Sequence, residues 1–253
     1  MIYDLQKASL LKRFSAYLLD IILLVIVTTG CLALLASVLN LDSYSNDLRS
    51  SYTKYETEYD TSFSYTQEEY KALSPEEAKK YNDAYAALIA DNDAMYAYNM
   101  LVNLTLVTVS LSILLGYLIT EFFVPLFLKN GQTVGKKIFG IAVMRTGGIR
   151  ISPVSLFIRT ILGKFTIETM VPVMMILMIF LGTIGIVGPA VILGLLVTQL
   201  VLLCVTHTNS VIHDILSDTV TVDLASQMIF NSPEELLAYK TKLAAEKAAR
   251  QDY

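Results

Sequence analysis

The sequence predicts an all-α integral membrane protein with four transmembrane helices, and three observations carry that prediction. Its apolar residues fall in runs long enough to cross about 30 Å of hydrocarbon. Its charged residues are segregated between those runs rather than mixed through them. Its largest polar segment carries helix-start signals instead of an alternating strand pattern. Composition agrees: of 253 residues, 54% are hydrophobic and 17% charged, with a mean hydropathy of +0.54, which excludes an ordinary soluble domain. The two cysteines, Cys31 and Cys204, lie in apolar runs and read as small buried hydrophobes without a disulfide framework. The first apolar run is too long for a cleavable signal and holds Asp20.

Residues 1–40 contain the N-terminus and the first span, which covers roughly 14–39. Residues 41–98 form an acidic insertion with ten of the fifteen tyrosines. Ser74-Pro75-Glu76-Glu77 is a capping box with proline at the first helical position, so a helix is expected from Pro75 towards Asp91. Thr66 with Glu69 suggests a shorter helix before it, giving a two-helix cap with solvated acidic faces. A tyrosine-built sugar or peptide site is the alternative. Asp91-Asn92-Asp93 lacks the glycine and terminal glutamate of an EF-hand loop, so no calcium site is expected.

The second span, 99–128, is interrupted by Glu121 and Pro125 and leads into a basic loop, 129–158. Residues 159–206 hold the third and fourth spans as a hairpin. Their uncharged part, 169–206, would be about 57 Å long as helix, nearly twice what one span needs. Gly182, Gly185, Gly188 and Pro189 mark the bend, and a re-entrant hairpin is the competing reading. Residues 207–253 form a cytosolic segment and a C-terminal helix that starts at Ser232-Pro233-Glu234-Glu235.

Orientation follows from lysine and arginine placement. Residues 129–164 carry five lysines or arginines before the third span, plus Arg159 and Lys164, and no acid, while residues 42–100 carry twelve acids against five bases. Both termini and the basic loop are therefore expected in the cytosol and the insertion outside. The same placement leaves no basic surface to argue for nucleic acid.

Arg13, Ala16, Tyr17 and Asp20 share one helical stripe. Counted from the cytosolic boundary, Asp20, Glu121 and Glu168 each lie about 9–11 Å deep at 1.5 Å per residue. An ionised carboxylate at that depth costs several kcal/mol unless it is paired or hydrated. Arg13, Arg159 and Lys164 are close enough in depth to neutralise the three acids, and Lys164 and Glu168, one turn apart, are expected to pair. Asp214, beside His213, is expected to accept hydrogen bonds from the Gly131–Gly135 turn or to pair with Arg159 or Arg13. The six-residue spacing of His207 and His213 does not suit a metal, and no catalytic set stands at coherent depth, so neither metal, cofactor nor enzyme activity is expected. Two readings stay open for the cluster, a structural interhelix network and an inward-open cation vestibule.

Gly131-Gln132-Thr133-Val134-Gly135-Lys136-Lys137 is not a phosphate loop, which needs four residues between its glycines and a Ser or Thr after the lysine. Gly131, Thr133 and Gly135 read instead as a tight turn at the bilayer surface, with Lys136 and Lys137 meeting anionic headgroups.

Three blocks stand in order along the chain. The first is Arg13-Phe14-Ser15-Ala16-Tyr17-Leu18-Leu19-Asp20. The second is Gly131-Gln132-Thr133-Val134-Gly135-Lys136-Lys137-Ile138-Phe139-Gly140-Ile141, followed by Arg159. The third is His213-Asp214-Ile215-Leu216-Ser217-Asp218-Thr219-Val220-Thr221-Val222. Together they resemble the RDD family of membrane proteins, named for one arginine and two aspartates, which Arg13, Asp20 and Asp214 would supply. The insertion is longer than the short connection usual in that family, and Thr206-His207-Thr208-Asn209-Ser210 lacks the basic residue often found there. The resemblance implies a multi-pass protein of the bacterial cell membrane and no enzyme activity. It also implies transport of unidentified ligands, with sodium–proton exchange proposed for some members. The expected function is transport of small cations or small solutes, with or without proton coupling. The alternative is a membrane scaffold, assembly or immunity factor acting through the outer cap and C-terminal helix. Expected partners are the lipid bilayer, a small cation in the polar cluster and a protein at the outer loop.

Overall fold

The computed structural model describes residues 4–180 and 182–251 and divides into two compact units, Met1–Thr28 with Ile113–Tyr253, and Thr29–Ser112. The helices are α1 (Leu10–Val38), α2 (Leu41–Tyr59), α3 (Gln67–Ala72), α4 (Pro75–Ala90), α5 (Asn92–Leu128) and α6 (Val134–Ile138). After strand β1 (Ile141–Arg145) come α7 (Pro153–Phe180), α8 (Val187–Val205), α9 (Ile212–Leu216), strand β2 (Thr219–Asp223) and α10 (Pro233–Gln251). Four of these, α1, α5, α7 and α8, are long and apolar enough to cross a membrane. The turn between α7 and α8 is made by Gly182 and Gly185 at φ +67° and +48°, left-handed values that glycine takes without the Cβ penalty of other residues. Gly188 and Pro189 lie in the first turn of α8 rather than in the bend.

The all-α expectation is corrected by β1 and β2, which pair antiparallel with Ile141 opposite Asp223 and Arg145 opposite Thr219. Each strand has five residues, too short for a periodicity signal inside segments read as polar loop. Both strand faces are used. Ala142 and Met144 pack with Val220 and Val222, while Val143 packs on Ile151 and Leu156, and Ile141 on Ala8 and Ala16. The N-terminal segment joins this layer through Ala8 N–H to the Thr221 carbonyl and Asp223 N–H to the Gln6 carbonyl.

The insertion holds one helix more than the expected two-helix cap. α2 has no side-chain cap at Asn40, and its helical stripe consists of Tyr44, Leu48, Tyr52, Tyr55 and Tyr59, so it lacks the usual start signal. α3 and α4 begin at the two capping boxes, Thr66 with Glu69 and Ser74 with Glu77. Asp91 serves as a helix cap, its Oδ1 accepting from Asp93 N–H (2.9 Å) and Ala94 N–H (3.2 Å), so α5 starts earlier than residue 99. Tyr55 donates to the other Asp91 oxygen at 2.8 Å, and Tyr55, Leu88 and Ala94 form the core of this unit. Tyr81 stacks on Tyr85 at 6.4 Å beside Phe63, so these tyrosines pack against one another.

Candidate functional site

Two stretches of widened helix position the site. In α5 the backbone is π-helical over Leu118–Phe123, and in α7 over Ile158–Met170, where hydrogen bonds run to the fifth residue instead of the fourth. Each stretch ends just before a proline, Pro125 or Pro172, and a proline has no N–H to return to the carbonyl four residues back. Those carbonyls belong to Glu121 and Glu168. Thr160 donates its hydroxyl to the Glu121 carbonyl at 2.9 Å, which joins one π stretch to the other. The repeated Glu-x-x-x-Pro spacing was the sequence signal for this irregularity.

The first charged cluster forms around Asp20. Its carboxylate accepts from the Thr133 hydroxyl (2.5 Å) and from Gly135 N–H (2.8 Å), both at the start of α6. Gly135 is required there, because an added Cβ would lie 2.8 Å from Asp20 Oδ1 and overlap the Ala16 carbonyl. Lys136 turns inward, its Nζ 3.6 Å from Asp20 and 3.8 Å from Glu121. Lys164 Nζ lies 2.6 Å from the same Glu121 oxygen. Burial pushes the Lys136 ammonium down to about 8, against the pull of Glu121 and Asp20.

The second cluster forms around Asp214, which is fully buried in α9. Arg159 donates to one carboxylate oxygen and to the Thr219 hydroxyl, while Arg13 lies 3.3 Å from the other oxygen and donates to the Asn209 carbonyl at 2.5 Å. Burial alone would raise the Asp214 carboxyl, but Arg159, with His213 and Arg13, holds it well below the usual range. Glu168 accepts from His213 N–H at 3.1 Å, and its oxygens lie 2.8 and 2.9 Å from His213 Nδ1, which donates in the Nδ1–H tautomer.

Several expectations are corrected by this geometry. Lys136 does not meet lipid headgroups; two buried carboxylates hold it, while Lys137 stays exposed. Gly135 and Thr133 serve Asp20, not Asp214. Lys164 and Glu168 do not pair; each finds a buried partner on another element, which outweighs the few tenths of a kcal/mol of an exposed one-turn pair. Arg13, Asp20, Arg159 and Asp214 belong to two clusters, with Glu168 and His213 attached to the second. Gln199, which accepts from Ile212 N–H at 3.2 Å, and Tyr117 carry no charge, and nothing in the sequence separated them from ordinary membrane-protein residues.

Two cavities adjoin the clusters. A small one of about 120 Å³ is lined by Asp20, Glu121, Glu168 and Lys164, with Tyr17 and Thr169. Tyr117 also lines it and hydrogen-bonds to the Thr169 hydroxyl at 2.7 Å. A larger one of about 640 Å³ has Arg13, Lys136, Arg159 and Lys164 on its polar side.

His213 is held below its ordinary value of 6.5, first by burial and then by Arg159. The folded protein thus favours neutral His213, and the unfolded chain binds that proton more readily. Stability should therefore be fully present above about pH 6.5 and fall as pH drops towards the folded value. Melting curves between pH 7 and 5.5 should show this slope, and His213→Gln should flatten it.

A family model described as the RDD family matches residues 7–218. No curated protein and no solved structure matches the chain significantly.

Proposed function

The chain belongs to the RDD family, and we propose that this membrane protein is a non-enzymatic transporter exchanging a small monovalent cation for a proton. The supporting observation is the small cavity of about 120 Å³, whose lining sets three carboxylates against one ammonium with room for a cation and a few waters. Glu168 is held by hydrogen bonds from His213, and with Lys136 charged the remaining pair, Asp20 and Glu121, faces two ammoniums and is balanced. Loss of the Lys136 proton, near pH 8, leaves the two carboxylates with Lys164 alone. One cation entering between them restores the balance, so one proton leaves for each cation bound. Adding Na⁺ or K⁺ to weakly buffered purified protein at pH 8 should acidify the solution, saturably. Lys136→Met and Asp20→Asn/Glu121→Gln should abolish the response, and Na⁺, K⁺ and H⁺ flux in proteoliposomes should follow the same pattern. A null response from folded protein with every cation would remove this reading.

One observation favours a second reading. Each of Asp20, Glu121, Glu168 and Asp214 already contacts a base or His213, as expected of a scaffold whose ion pairs only fix packing. That protein would act on a partner through the insertion and α10.

The proposed orientation places both termini in the cytosol of a bacterial cell and the insertion outside. In a Cys31→Ala/Cys204→Ala background, an impermeant thiol reagent should label Asp60→Cys in intact cells and leave Gly147→Cys untouched. The opposite pattern would invert the orientation.

A further inference from the structure

The insertion carries a contiguous aromatic patch centred on Tyr81. The rings of Phe63, Tyr65, Tyr70 and Tyr85 lie 5.7, 6.2, 4.9 and 6.4 Å from it. Tyr81 and Tyr85 stand one turn apart on α4 with their rings only 7° from parallel. Tyr65, Tyr70 and Tyr85 are nevertheless 37%, 36% and 49% exposed, so packing uses part of each ring and leaves the rest to solvent. Tyr70 donates to the Asn82 side-chain oxygen at 3.1 Å, while the hydroxyls of Tyr65, Tyr81 and Tyr85 form no hydrogen bond among the described residues.

The charge around this patch has one sign. Residues 56–85, which carry every ring of it, hold eight acids against three bases, so no pairing among them cancels the charge. Lys80 is already held by Asp60, whereas Glu58, Glu68, Glu76 and Asp83 are exposed and make no ion pair among the described residues. Such a field draws cations towards the patch, and the faces of the rings then attract them at contact. A guanidinium fits better than an ammonium. It is planar, sheds water more easily, stacks on aromatic faces and keeps donors for the unpaired phenol oxygens.

We propose that this patch docks a protein partner through an arginine-bearing segment, whose guanidinium groups stack on the exposed tyrosine rings. Tyrosine suits that role because it offers a large, rigid contact at low entropic cost. The rings alone would fit a sugar equally well, and the excess of acids is what selects a cationic occupant. No residue of the two polar clusters takes part, so the inference stands whether or not the protein exchanges cations.

The test titrates the full chain, held in phosphatidylcholine nanodiscs, into a fluorescently labelled peptide of Arg-Gly-Gly repeats or its Lys-Gly-Gly counterpart, with anisotropy as the readout. The arginine peptide should bind about threefold tighter than the lysine peptide, the effect of a cation–π contact at an exposed site. Tyr85→Ala and Tyr65→Ala should each weaken the arginine peptide about tenfold and narrow its lead over the lysine peptide. Tyr96→Ala, 60% exposed but packed on Tyr44 outside the patch, should leave both affinities unchanged. Equal affinity for the two peptides, or equal losses at positions 85 and 96, would reduce the patch to a plain acidic surface and overturn the proposal. Displacement of the arginine peptide by neutral chitotetraose would mark a sugar platform and overturn it as well, as would folded protein that binds neither peptide. If Tyr65→Ala does not fold, Tyr85→Ala is read alone, and Tyr85→Leu replaces it if that variant also fails.

Discussion

Replacing Asp214 by alanine should destabilise the detergent-solubilised protein by about 3–5 kcal/mol, the usual cost of breaking a buried ion pair by removing one partner. Two guanidiniums converge on this carboxylate, and Arg159 has only 4% of its side chain exposed. Without Asp214, Arg159 keeps the Thr219 hydroxyl and Arg13 keeps the Asn209 carbonyl, neither of which carries a charge. The melting temperature should fall by at least about 6 °C, at 2–4 °C per kcal/mol for a chain of this size. Glu76→Ala, on the exposed first turn of α4, should stay within about 0.5 kcal/mol of the parent. The folded Asp214 carboxyl titrates below its unfolded value of 3.8. Its contribution is therefore present above about pH 4 and is lost as pH falls through the folded value. Equal melting temperatures for Asp214→Ala and Glu76→Ala would mean that this carboxylate is hydrated in solution.

Gly163→Ala should be comparably damaging for a steric reason. A Cβ at Gly163 would sit 2.7 Å from the His213 Cα and overlap the His213 Cβ, so the backbone of α9 would have to move. That movement would pull His213 from Glu168 and Asp214 from Arg159 together. Overpacking of this kind costs typically about 1–3 kcal/mol, and more where a buried ion pair opens with it. Gly194→Ala is the matched control, since a Cβ there meets nothing within 4 Å. The control should be neutral or stabilising by about 0.5–1 kcal/mol through helix propensity. If both variants melt alike, the close approach of α7 and α9 is not what holds the Asp214 cluster.

The buried charges were legible as a set before their partners were. Depth along each apolar run brought Asp20, Glu121 and Glu168 to one level, and the structure lines the small cavity with all three. The pairing was not legible. Lys136 stands beside Lys137 in a basic segment, and only the fold of α6 against Asp20 turns one lysine inward and leaves the other exposed. Lys164 and Glu168 satisfy the spacing rule for a helical pair, yet each has a buried partner on another element. β1 and β2 were hidden for a different reason. Five-residue strands make sense only when paired with each other, and 73 residues separate Arg145 from Asp218 just before β2.

Sequence alone determined what depends on one segment at a time. It located four apolar runs of spanning length, the capping boxes that open α3 and α4, and the charged residues too costly to leave unpaired in hydrocarbon. Hydrophobic length, cap chemistry and desolvation are local quantities, so they can be read from residue order. Tertiary structure decided which base meets which acid, where the backbone widens to π-helix, and which charged residues line each cavity. Those depend on distances between elements far apart in the chain. At a few ångströms inside a poorly polarisable interior, such distances govern electrostatic energies that no one-dimensional spacing rule contains.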